Sequence, residues 1–98
     1  MFKVHKILNH EYDSKVDAIY IKVKDYPNPE ATPLTDNIIL DFNKENEIVG
    51  LEIINTSQVL NTTIKSLKNI NSIDLIVKVT KHQILLNAIF TFTILKTR

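Results

Sequence analysis

Six stretches of this chain place apolar, mostly β-branched residues at every second position, and that repeat constrains the fold more than any other feature. Successive side chains leave a strand on opposite faces, so the repeat predicts strands with one face buried. The stretches are 2–8, 16–24, 37–43, 47–55, 72–81 and 84–96. In the second, Ile19, Ile21 and Val23 share a face, and in the third Ile38, Leu40 and Phe42 do. In the fourth, Val49, Leu51 and Ile53 oppose Ile48, Gly50, Glu52 and Ile54. The third and fourth are separated only by the polar segment 43–47, which reads as the turn of an antiparallel hairpin. Gly50 within a strand implies a bulge, or a side chain packed closely over it.

Two segments read as connections. Residues 9–14 are turn-like, and 25–35 hold all three prolines, Pro27, Pro29 and Pro33, which remove ladder donors and fix φ. After residue 55 the period changes. Val59, Leu60, Ile64 and Leu67 form a helical stripe, with Thr56 or Ser57 as N-cap, and one helix is expected near 57–69. The expected fold is therefore a single α+β domain over 1–98, mainly an antiparallel sheet of about six strands with the helix packed on one face.

Composition excludes several functions. Lys and Arg number 12 against 11 Asp and Glu, a net charge of +1, so the chain is neither a bulk polycation nor a polyanion. Cysteine is absent, which removes disulfides, thiolate metal sites and cysteine nucleophiles. A single glycine leaves no glycine-rich phosphate loop. No apolar run reaches the length of a membrane span, about 18 residues, and residues 1–8 are too short and charged for a signal peptide. A cytoplasmic protein without cofactor and without membrane contact is expected.

Residues 12–57 resemble a known family. The positions that carry the resemblance are Tyr12, Asp13, Asp17, Ala18, Tyr20 and Ile21, then Asp41, Val49, Gly50, Glu52 and Ile53. The pattern is similar to Domain of Unknown Function 2283, small prokaryotic proteins with no assigned activity. Some members are encoded beside small toxin-like proteins, so the resemblance implies an antitoxin-like role with a toxin-like partner. This chain departs from the pattern in its longer proline-rich loop and in Asn46, near which the family usually has a glycine. Residues 58–98 lie beyond the family core, as a helix followed by a β-hairpin.

Four constellations are candidates for function. Asp13, Asp17 and His10 supply carboxylates and an imidazole that suit a divalent metal and a hydrolase; the competing reading has Asp13 capping a turn. Glu52 lies opposite the apolar face of its strand and would need a partner such as Lys22 or Lys24 if covered. Charge is uneven: residues 1–58 hold 6 Lys against 10 acidic residues, net −4, and residues 59–98 hold 6 basic residues against Asp74, net +5. Lys65, Lys68, Lys78 and Lys81 are thus candidates for a nucleic-acid face, although arginine, the commonest base reader, occurs only at Arg98. Finally, 84–95 carries no charge and is apolar on both faces. Ile84, Leu86, Phe90, Phe92 and Ile94 would form an interface, either within the sheet as a central strand or with another chain, most simply in a homodimer. The leading expectation is a non-catalytic protein-binding module.

Overall fold

The computed structural model describes residues 2–92. Among these, eight strands form two antiparallel sheets. In chain order they are β1 (Phe2–Lys6), β2 (Asn9–Asp13), β3 (Ala18–Lys22), β4 (Glu30–Pro33), β5 (Ile38–Phe42) and β6 (Ile48–Ile54). Two short helices follow, α1 (Thr56–Val59) and α2 (Ile64–Leu67), then β7 (Ile70–Val79) and β8 (Ile84–Phe92). One sheet has the order β2-β3-β6-β5-β4 and the other β1-β7-β8. No helix of the described residues is long and apolar enough to cross a membrane.

The chain is largely β, and the expectation of six strands and one helix is corrected in three places. The expected turn at 9–14 contains β2, and the expected loop at 25–35 contains β4. β2 buries only alternate residues, the polar His10 and Tyr12, and β4 is exposed at all four positions, so neither shows an apolar alternation. The expected helix at 57–69 is two single turns separated at Asn61, whose φ of 50° breaks the helical path. The N-caps also differ from expectation. Asn55, with φ 55°, precedes α1, and Thr63 caps α2 through its side chain, which accepts from the Ser66 N–H at 3.1 Å.

One core joins the two sheets. Ile19, Ile21, Leu40, Leu51 and Ile53 from the five-stranded sheet meet Ile73, Leu75 and Val77 from β7 in a single buried cluster. Burying each such side chain contributes about 1.5–3 kcal/mol relative to leaving it in water. Ile48 also enters this core, against the face expected for it. The cause is a bulge: Asp41 pairs with Gly50 but Phe42 pairs with Ile48, so the alternation skips a residue. Across β6, the N–H groups of both Val23 and Lys24 donate to the Val49 carbonyl, at 2.9 and 3.2 Å. The Leu8 N–H donates to Lys22 O at 2.8 Å, which carries the ladder of β2 back toward β1, where the chain leaves one sheet for the other.

Candidate functional site

The residues suggested as metal ligands do not converge. Asp13 Oδ1 accepts the Lys15 N–H at 2.9 Å, which closes the turn leading into β3. Asp17 sits at φ 53°, and both its carboxylate oxygens are engaged. Tyr12 Oη donates to Oδ1 at 2.7 Å; Ser57 Oγ donates to Oδ2 at 2.6 Å, and the Ser57 N–H donates to Oδ1 at 3.1 Å. The Asp17 backbone carbonyl accepts the Thr56 N–H at 2.9 Å and Thr56 Oγ1 at 3.0 Å. Asp17 therefore fastens the β2–β3 turn to the start of α1. The hydrogen bonds from Ser57 and then Tyr12 hold its carboxyl below the ordinary range. Burial, and next the bond to Asp17, pushes the Tyr12 phenol up to about 12. His10 pairs with Ile21 on the core face of β2, whereas Asp13 pairs with Ala18 on the opposite face. The open groove between residues 7–10 and 71–73 is lined by His10 but by neither aspartate. Among the described residues no group of three His, Cys, Asp or Glu side chains is placed to hold a metal.

The other matched positions build a second structural unit. Tyr20 Oη donates to Asp41 Oδ2 at 2.7 Å, across the top of Gly50. A Cβ at position 50 would overlap the Tyr20 hydroxyl and lie 2.8 Å from its ring carbon Cζ. Glycine is thus required here by close packing; its φ is not in the left-handed region. Burial, followed by the Asp41 bond, pushes the Tyr20 phenol up to about 12. Glu52 is half-buried beside Tyr20, its neighbour across β3. The lysines expected to partner it are engaged elsewhere: Lys22 with Asp25 at 3.1 Å and Lys24 with Glu47 at 3.2 Å.

The four lysines suggested for nucleic acid divide into two pairs. Lys65 lies within α2 and Lys68 caps its end, just before β7, while Lys78 lies near and Lys81 beyond the far end of that strand. Residues 70–77 of that strand, at about 3.3 Å each, separate the two pairs by about 26 Å.

β8 carries the strongest surface feature. It pairs with β7 alone among the described residues, so it borders its sheet and is not the central strand that its apolar faces suggested. Ile84, Leu86 and Phe90 turn toward the core and are partly buried there; Phe92 is half-buried, and Ile94 lies outside the described residues. The exposed residues are on the other face, Leu85 at 47% and Ile89 at 49%. Cross-strand pairs place them on one sheet surface with half-buried Ile76 of β7 and, next to it, Val4 of β1, 64% exposed. Of the residues expected at an interface, Ile84, Leu86 and Phe90 thus lie on the core side of β8, and the outer side presents Leu85 and Ile89.

Both borders of the five-stranded sheet carry features that discourage strand pairing. β2 includes Glu11 and Asp13, and β4 has only four residues, with Pro33 among them. The nine residues of β8 contain no charge and no proline.

Residues 9–57 match the family model described as "Protein of unknown function (DUF2283)". The chain is also 32% identical over 78 residues to an uncharacterized protein of Methanocaldococcus jannaschii, covering 79% of this chain and 66% of that protein. It thus spans just under two thirds of that relative's length. No solved structure matches the chain.

Proposed function

Starting from a chain that belongs to the DUF2283 family of proteins of unknown function, we propose that it is a non-catalytic, antitoxin-like binding protein of the cytoplasm. Its docking surface is the outer face of the three-stranded sheet, where Val4, Leu85 and Ile89 stand exposed around Ile76. The grouping of these exposed apolar side chains, on a face that also presents Lys78 beside Leu85 and Asp74 beside Ile89, is the observation that carries the reading, because exposed apolar surface grouped on one face marks an interaction site. The hydrolase reading draws less support, since both oxygens of Asp17 are occupied by Tyr12 and Ser57. The nucleic-acid reading draws less as well, since its lysines stand at opposite ends of β7.

Co-expression with the product of the adjacent gene, with size measured alone and together, tests the proposal. A stable complex that is lost in the V4E/L85E double variant is expected. Failure to capture the neighbouring product, or capture unaltered in that variant, overturns it.

A further inference from the structure

We infer that the open border of β8 pairs with β8 of a second copy of this chain, antiparallel about Ala88, to give one six-stranded sheet across a two-fold axis. The inference rests on the reading of β8 as an association surface, but it concerns the border of the sheet and leaves the exposed face free.

The hydrogen-bond phase of the strand comes first. The Thr80 N–H donates to Gln83 O at 2.8 Å, which closes the β7–β8 hairpin. Hydrogen-bonded and non-bonded pairs alternate along an antiparallel ladder. The bonded pairs are therefore Lys78 with Leu85, Ile76 with Asn87, and Asp74 with Ile89. The even-numbered residues of β8 turn their N–H and C=O groups outward. Ala88, at the middle of Ile84–Phe92, is one of them. A two-fold axis at Ala88 makes it a bonded pair with its own copy and aligns all nine residues of each strand.

Side chains fit the same register. On the core face, Leu86 stands opposite the second copy's Phe90, and the small Ala88 side chains meet on the axis, where bulk would crowd. On the outer face, Asn87 stands opposite the second copy's Ile89. No like charges meet anywhere along the pairing, because β8 carries none. Self-pairing of β2 would line up its own carboxylates, and Pro33 removes a donor from β4. Set against β2 and β4, β8 is the border whose residues carry no charge to oppose its own copy. The outer faces of the two copies then run together, with Leu85 and Ile89 on both sides of the axis.

Sedimentation velocity and charge-paired variants test the register. The parent chain is expected to be a dimer. N87K/I89K sets lysines opposite lysines across the axis and is expected to weaken self-association about a hundredfold. N87E/I89K sets glutamate opposite lysine twice and is expected to retain the dimer. Both positions are exposed in the single chain, so folding is preserved, which circular dichroism checks. The absence of cysteine gives an independent readout. Non-bonded pairs bring side chains closest, so N87C chains mixed with I89C chains are expected to cross-link on oxidation and L85C is not. A monomer at all concentrations, a dimer indifferent to N87K/I89K, or equal cross-linking by L85C overturns the inference. A monomer that still captures the neighbouring gene product overturns this inference and leaves the binding reading standing. A dimer with the predicted variant pattern that captures nothing upholds this inference and overturns the other.

Discussion

Single residues in this chain do what glycine does in most proteins. With one glycine available, the left-handed positions at 17, 28, 46, 55 and 61 are filled by Asp17 and four asparagines. Short polar side chains tolerate this region because they bond locally to the backbone. Asn46, at φ 60°, occupies the hairpin turn near which the resembled family has glycine, so the departure seen in sequence preserves the backbone shape. N46G is expected to be neutral or slightly stabilising, whereas N46A is expected to cost about 1 kcal/mol, measured by urea unfolding. Gly50 is the reverse case, needed for space. G50A is expected to cost about 1–3 kcal/mol by displacing Tyr20 from Asp41, and the cost is expected to shrink in a Tyr20→Ala background, as a double-mutant cycle reads.

Proton linkage follows from the same residues. The Asp17 carboxyl is lowered in the folded chain from 3.8, so its stabilisation is complete above 3.8 and is lost as pH falls through the lower folded value. Asp17→Asn is expected to lower stability at neutral pH and to flatten this acid loss, seen in thermal midpoints between pH 2 and 5. The Tyr20 phenol is raised from 10.0 to about 12, so its contribution holds below pH 10.0 and is lost as pH rises toward about 12. Tyr20→Phe is expected to remove that part of the alkaline loss in the same measurement.

At the scale of elements, legibility tracked burial. The β5–β6 hairpin and β7 were readable because they bury alternate residues: Leu40, Leu51 and Ile53 in one, Ile73, Leu75 and Val77 in the other. β2 and β4 lie at the borders of the five-stranded sheet, where few apolar side chains are enclosed and no alternation forms. The split helix was missed because α1 is held by polar links outside the apolar stripe and Asn61, at φ 50°, parts it from α2, which buries Leu67. Thr56 is fully buried, and its Oγ1 reaches Asp17 O at 3.0 Å and Ile53 O at 2.9 Å. T56V keeps the shape and removes the donor, so it is expected to destabilise by about 1–3 kcal/mol in urea unfolding. The candidate surface was half legible. The lack of charge in β8 is written in the sequence, but its place at the border depends on which strands lie beside it, and a local pattern does not encode that.

For the whole molecule, the shared core makes the two sheets one cooperative unit. Leu75 is completely buried in β7 and belongs to the cluster that also holds Ile19, Ile21 and Leu51. Leu75→Ala is expected to cost about 2–5 kcal/mol. Because the core is joint, tyrosine fluorescence, which reports the five-stranded sheet, and far-ultraviolet dichroism, which reports both, are expected to shift together in a single transition.

The pairing of β1 with β7 ties residues 2–6 to residues 74–78. On the ribosome, β1 must wait until residues 74–78 are synthesised before its hydrogen-bonding partner emerges. The five-stranded sheet can complete its own ladders earlier, but its inner apolar surface stays uncovered until Ile73, Leu75 and Val77 arrive. Nascent chains halted between those stages present a sticky, half-finished product, the species that chaperones bind during translation.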